Sequence, residues 1–308
     1  SGQAILGFSS VLSGDDVNGN DAPGNAVFSD RLRLGLETSF TGEDLLYARL
    51  ATGNTANLLS DTTTEGALSF EQVAANHNVS LEVLLYKFPI GDRTELVIGP
   101  VGVATDDFTD TVNFLDGDGA EGAISAFGTR SSIYYPPAGA GIGLRHQFND
   151  LLAVSAGYLA AEADDPGSGS GFFNGDYGAI AQLYVTPSEA VSLGLTYVHG
   201  YNVEMGTGSN RANPKTFLEG GTPPANAPIS SDALGLAASL QLNDRFVLGG
   251  WGAYSNVDVL GGPKNSLDIW TGAITLAVLD LFKEGNVAGF VVGVEPKVTR
   301  ADTAILED

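Results

Sequence analysis

The densest run of reactive side chains in this 308-residue sequence is TDDFTDTVNFLDGDGAEG, residues 105 to 122. Carboxylates this crowded could ligate a cation or work as an acid–base pair. DGDGAEG (116–122) and DDVNGND (15–21) both have the look of a calcium loop. Neither has the D-x-D-x-D-G…E spacing of an EF-hand, so no metal site is expected. His77, His146 and His199 fall in separate segments with no shared ligand spacing. The absence of cysteine excludes thiol catalysis and zinc–thiolate sites. GAGIGL (139–144) lacks the G-x-G-x-x-G pattern and sits on a strand-like run, which argues against a dinucleotide. No Ser/His/Asp or paired-carboxylate constellation rises above chance among so many loop Ser and Asp residues. The expectation is a protein that is no enzyme and needs no cofactor. A net charge of −23 also argues against nucleic acid as a partner.

A second set of charges does have a spacing. In RLRLGLETSF (31–40), Leu32, Leu34, Leu36 and Phe40 fall on one side, and Arg31, Arg33, Gly35, Glu37 and Ser39 on the other. LLYARLA (45–51) repeats the pattern, with Tyr47 and Arg49 opposite Leu46, Ala48 and Leu50. GIGLRHQFNDLLAVSAGYLA (141–160) reads as a hairpin turning at Asn149-Asp150, with Arg145, Gln147 and glycines opposite Ile142, Leu144, His146 and Phe148. Period-two alternation is the signature of a strand with two unlike faces. In a sandwich the charged face meets solvent and a second sheet covers the apolar one. In a membrane barrel the apolar face meets lipid and the charged face lines a wet lumen.

The connections decide between these. Thirteen strand-like segments are legible, near 3–12, 31–40, 45–53, 78–88, 94–103, 139–148, 151–160, 176–186, 190–199, 231–242, 245–255, 267–279 and 286–295. Tight turns (41–44, 89–93, 149–150, 186–190, 243–244, 282–285) alternate with long Gly/Asp/Asn/Ser/Pro segments (13–30, 54–77, 104–138, 161–175, 200–230, 256–266). GALSFEQ (66–72) is taken as part of a structured loop. Strict sorting of short and long connections to opposite ends describes an up-and-down antiparallel meander, as in outer-membrane barrels. The strands have the roughly 9–11 residues a tilted membrane strand needs, and no run reaches the roughly 18 apolar residues of a membrane helix. Phe40, Phe88, Phe148, Phe246 and Phe282 all sit beside tight turns, where an aromatic girdle would lie.

FSDRLRLGLETSFTGEDLLYARLATGNT (28–55), LLYKFPIGDRTELVIGP (84–100), GYLAAEADDPGSGSGFFNGDYGAIAQLYVTPSEAVSLGLTYVHGYN (157–202) and the run from 245 to 299 resemble the cyanobacterial outer-membrane porins, the iron uptake porin family, which is similar to the carbohydrate-selective porins. The resemblance implies one transmembrane β-barrel domain over 1–308, with about 16 strands in the complete family barrel. It implies a homotrimer among outer-membrane lipids in a Gram-negative type of cell envelope. It implies a water-filled channel for small hydrophilic solutes and inorganic ions, iron salts among them. Contact with a peptidoglycan-linked polymer is expected only through a surface-layer-homology domain that members carry and these 308 residues lack. The alternative is a structural or adhesive β-rich envelope protein without channel activity.

On the channel reading, segment 104–138 folds into the lumen and sets its constriction. Asp106, Asp107 and Asp110 would stand opposite the wall residues Arg31, Arg33, Arg49 and Arg145, with Phe127 and Arg130 on the segment itself. Inward arginines follow from energy, since a lipid-facing arginine at mid-bilayer costs roughly 2–4 kcal/mol. Most other acids, including Asp15, Asp16, Asp21, Asp30, Asp61, Glu65, Asp116, Asp118, Glu121, Glu162, Asp164, Asp165 and Asp258, fall in the long loops, where they would make the mouth negative.

Overall fold

The computed structural model describes residues 1–13, 24–56, 58, 63–117, 119–136, 138–219, 226–261 and 265–302. Fourteen strands occur among them: β1 (Gly2–Ser9), β2 (Val27–Thr38), β3 (Leu45–Thr55), β4 (Gln72–Val73), β5 (Ser80–Ile90), β6 (Thr94–Ala104), β7 (Ala138–Asn149), β8 (Leu152–Ala160), β9 (Tyr177–Ser188), β10 (Val191–Tyr201), β11 (Ile229–Asn243), β12 (Phe246–Val259), β13 (Asn265–Leu279) and β14 (Val287–Ala301). All but β4 follow one another in a single antiparallel sheet in chain order, from β1 at one end to β14 at the other. β4 pairs only with β3, and Leu68 bridges to Ser125, so 66–72 is a structured loop as the sequence suggests.

The tight turns are fixed by local side-chain chemistry. Asn149 and Asn243 accept the N–H groups of Leu151 and Arg245 two residues on, the local bond that makes Asn a turn former. Between β2 and β3 the Asp44 carboxylate accepts from the Ser39 hydroxyl, the Tyr86 hydroxyl and both donors of Thr41. These bonds, led by those from Ser39 and Tyr86, hold Asp44 well below the usual carboxylate range.

The sheet has two distinct faces. Across β7 and β8, Ile142 pairs with Tyr158, Leu144 with Ala156 and His146 with Val154 on one face; Gly143 pairs with Gly157 and Arg145 with Ser155 on the other. The first face is apolar and uncovered over many strands: Leu36 is 60% exposed, Leu195 51%, Leu236 59% and Ile274 66%. An apolar belt this wide is a surface meant for an apolar medium. Phe40, Phe148, Phe246 and Phe282 extend it beside the tight turns, and Phe88 stacks on Tyr86 there. His146 lies on this face too, bonded to the Thr94 hydroxyl at 2.8 Å and edge-on to Phe148.

The buried core lies on the other, inner face. There Phe108, Ile133 and Tyr134 of the β6–β7 connection pack with Val97, Val103, Leu159, Ile180 and Val198 of the strands. The connection contains one short helix, α1 (Ala126–Thr129), capped by the Ser125 hydroxyl. A second short helix, α2 (Pro214–Glu219), follows β10. No described helix is long and apolar enough to cross a membrane, which says nothing of strands.

Loop contacts tie the far end of the sheet back to its beginning. Glu295 of β14 accepts from the Thr207 hydroxyl and from the N–H groups of Gly208 and Gly66, and Lys297 pairs with Glu65 at 2.8 Å. The same β3–β5 connection reaches β1, where the Phe70 ring lies against Gly7.

Candidate functional site

The β6–β7 connection, residues 105–136, runs over the inner face instead of leaving the sheet. The strands it crosses meet it with glycines. Phe108 rests on Gly143 of β7 and Gly157 of β8, Val112 on Gly194 of β10, Ile133 on Gly235 of β11, and Leu115 on Gly289 of β14. A Cβ at Gly143, Gly157 or Gly235 would stand 2.1, 2.2 or 2.3 Å from the seated side chain, closer than real Cβ contacts come. Phe127 meets Trp251 of β12 edge-on, with ring centres 5.8 Å apart, between Ala237 and Ala273. A strand glycine costs about 0.5–1 kcal/mol against alanine. Burying a large apolar side chain returns roughly 1.5–3 kcal/mol. The wall glycines are therefore sockets for the segment.

Polar contacts fix the same segment. Gln182 of β9 donates to the Asp110 carbonyl and the Tyr134 hydroxyl at 2.7 Å each, and accepts the Asp110 N–H. Tyr134 also meets the Thr196 hydroxyl of β10, while its carbonyl accepts from Thr105. The segment pairs with the β3–β5 connection through Ala126 N–H to the Ala67 carbonyl and Ser69 N–H to the Ile124 carbonyl, both 2.8 Å.

Charges gather where the segment faces β2, β3 and β5. Arg33 Nη2 and Arg49 Nε hold the two oxygens of one carboxylate, Glu82, at 2.7 and 2.6 Å. On the segment the arrangement is inverted: Arg130 holds two carboxylates, Asp106 at 2.6 Å and Asp116 at 2.8 Å. Arg49 is close enough for its charge to act on Asp106 and Asp107. Nearby, Lys87 pairs with Glu95 at 3.4 Å and Arg145 with Asp110 at 3.0 Å. A cavity of about 190 Å³ remains between Gln3, Arg33, Tyr47 and Arg49 of the wall and Glu121 of the segment.

Burial pushes Asp116 up despite Arg130, and pushes Asp107 up despite its bond from the Ala104 N–H. It pushes Asp106 up as well, but there the charge and hydrogen bond of Arg130 outweigh it and the carboxyl ends below its usual range. Burial draws Arg130 down, yet Asp106 and Asp116 together raise it, so it stays charged.

Of the residues singled out from sequence, Asp110 and Arg145 meet directly, and Arg33 and Arg49 face the cavity. Asp106 and Arg130 pair within the segment, and Asp107 closes the turn at Ala104. Arg31 lies elsewhere: it is 1% exposed, bonded to Gln3 and the Ser69 carbonyl beneath the β3–β5 connection. Phe127 is an anchor buried against Trp251. Among the loop acids, Asp30 and Asp258 sit in strands, Asp116 is buried on Arg130, and Glu65 is paired with Lys297. Asp15, Asp16, Asp21, Asp61 and Asp118 fall outside the described residues.

Sequence reasoning missed Glu82, Gln182, Tyr134 and the socket glycines. Glu82 escaped because a β-bulge re-aims it. Arg49 pairs with Val83 and the next residue, Leu50, with Leu81, so Glu82 is the extra residue. Strict alternation places it with Leu84 and Tyr86 on the outer face. Gly102 of β6, at φ +64°, allows the close approach beside the bulge: a Cβ there would stand 2.0 Å from the Glu82 carbonyl oxygen.

The comparisons with known proteins agree with this geometry. Residues 1–307 match the model of the OprB family of carbohydrate-selective porins. An uncharacterized protein of Nostoc sp. is 33% identical over 96% of this chain and 54% of its own length. An uncharacterized protein of Synechocystis sp. is 30% identical over 98% of this chain and 58% of its own. The chain thus spans little more than half the length of both curated relatives. Among solved structures, that of Pseudomonas putida OprB at high pH superposes with a TM-score of 0.51 at 14% identity, covering 90% of this chain and 73% of that one, a likeness of fold. An all-β up-and-down wall, an inward segment and a family match from end to end converge: the chain belongs to the OprB family of carbohydrate-selective porins, which are channel proteins and not enzymes.

Proposed function

We propose that this chain forms the wall and constriction of an outer-membrane porin, a water-filled passage for passive diffusion of small hydrophilic solutes and inorganic ions. The observation that carries the reading is the pairing of an uncovered apolar outer face with a charged inner face narrowed by 105–136. Lipid tolerates the first and water the second. The passage runs between the Arg33–Glu82–Arg49 wall and the Asp106–Arg130–Asp116 surface of the segment. Its charges are mostly mutually satisfied, which suits polar solutes of either sign and small neutral sugars, the class named by the family.

Iron salts would pass as other small ions do. Among the described residues no group of three or more His, Cys, Asp or Glu side chains could hold a metal ion, so a dedicated iron site finds no support there. Assembly as a homotrimer rests on the family resemblance, and chemical cross-linking in mild detergent tests it. The function itself is tested by reconstituting the purified protein in planar bilayers. Stepwise conductance is expected, and a heat-modifiable protein that gives no steps would overturn the reading.

A further inference from the structure

Of all the charged groups around the passage, Glu82 has the most deliberate placement. The bulge that interrupts β3–β5 pairing turns it inward, against the alternation of its own strand. There it meets two guanidiniums at once, one through each oxygen. The other wall charges near the passage come as one-to-one pairs, Lys87 with Glu95 and Arg145 with Asp110. The two triads do not cancel internally. Two guanidiniums around one carboxylate leave the wall triad one positive charge. Two carboxylates around one guanidinium leave the segment triad one negative charge. The side chains are in contact with water: Arg49 is 27% exposed, Glu82 21% and Asp106 40%.

We propose that Glu82 determines the ion selectivity of the passage: by neutralising one of two wall guanidiniums it keeps the opposed rims equal and opposite, so small cations and anions are weakly discriminated. The proposal rests on the reading of the chain as a diffusion channel. Charges facing a narrow aqueous path select ions by sign, so the residue that sets the balance sets the preference. Without Glu82 the wall would carry two positive charges against one negative. Without Arg33 and Arg49 it would carry one negative charge beside another.

The test is the reversal potential of the reconstituted protein across a potassium chloride gradient. Glu82→Gln is expected to raise the chloride-to-potassium permeability ratio roughly two- to fivefold, the scale of one unit charge acting through water at about 5 Å. The double variant Arg33→Gln, Arg49→Gln is expected to lower it by a similar factor. Both shifts should shrink between 0.1 and 1 M salt, as the screening length falls from about 10 to about 3 Å. A purely structural role for Glu82 would alter heat-modifiability or conductance without a salt-dependent, sign-reversing change in the ratio. Should E82Q fail to form a barrel, the arginine double variant carries the test alone. Conducting variants with wild-type ratios would overturn the role of Glu82 and leave the channel reading standing. A wild-type protein that does not conduct would overturn the channel reading itself.

Discussion

The inner face of the sheet is built on two opposite rules. From β7 to β14 it offers glycine, alanine and small hydroxyl side chains, and segment 105–136 covers them. Along β2 and β3, beyond Arg31 toward the turns, it offers Arg33, Tyr47 and Arg49, and a cavity stays open in front of them. One half gives up side chains to receive a second layer. The other keeps long charged side chains that the second layer faces without covering. The contrast teaches that the narrowing is part of the folded core: the segment's apolar anchors are among the most buried residues in the molecule, with Phe108 at 2% and Ile133 at 1% exposure.

The largest effect should come from breaking the covered half. Gly143→Leu would drive a side chain into the Phe108 ring, where even a Cβ is too close. Overpacking of this kind costs about 1–3 kcal/mol. The expected outcome is a released segment, seen as higher single-channel conductance and protease cleavage within 105–136. Unchanged conductance would show that the segment does not narrow the passage. Phe108→Ala empties the same socket and should cost about 3–5 kcal/mol in segment docking, with a conductance change in the same direction.

Gln182→Leu comes next. It strips partners from Asp110 and Tyr134 in a buried site, at a cost of about 1–3 kcal/mol. The lowered temperature of segment cleavage by protease measures it. Arg145→Gln tests the boundary between the halves. Its pair with Asp110 is about a third exposed, so docking should weaken by less than about 1 kcal/mol. The ion preference should move toward cations.

The smallest effect is titration of the segment acids. Asp107 and Asp116 are raised by burial, so their ionisation works against docking: the penalty is absent below their folded values and appears as pH rises through them. Asp106 is held low by Arg130, so its contribution is present above the ordinary carboxylate value and is lost only as pH falls through its folded value. On acidification, Asp107 and Asp116 should therefore take up protons before Asp106. The reversal potential should begin drifting toward anions above the ordinary aspartate value of 3.8 while the Asp106–Arg130 pair persists below it. A single step at the ordinary value would contradict this ordering.

Much of the architecture was legible because it repeats. Thirteen alternating runs and the sorting of short and long connections reappear as the thirteen long strands and their turns. The inward side of Arg33, Arg49 and Arg145 followed from the cost of the opposite choice. The placement of Arg31 was less legible, because its cover comes from a loop whose path no periodicity records. Glu82 was misread by parity itself, because one bulge residue inverts the alternation locally. The glycines read as an anomaly of composition until the segment lay on them.

What the sequence determined by itself is which side chains share a face, because strand periodicity is local and every residue of a strand obeys it. It also determined that one face had to meet an apolar medium, since the leucines of β2 and the arginines between them cannot both be satisfied by water. Only the tertiary structure decided which charges meet. Asp110 finds Arg145 35 residues away, and Arg33 finds Glu82 49 residues away. Those partners are chosen by where the connection crosses the sheet and by a single bulge. Contacts between distant segments depend on packing of the whole, and no spacing along the chain encodes them.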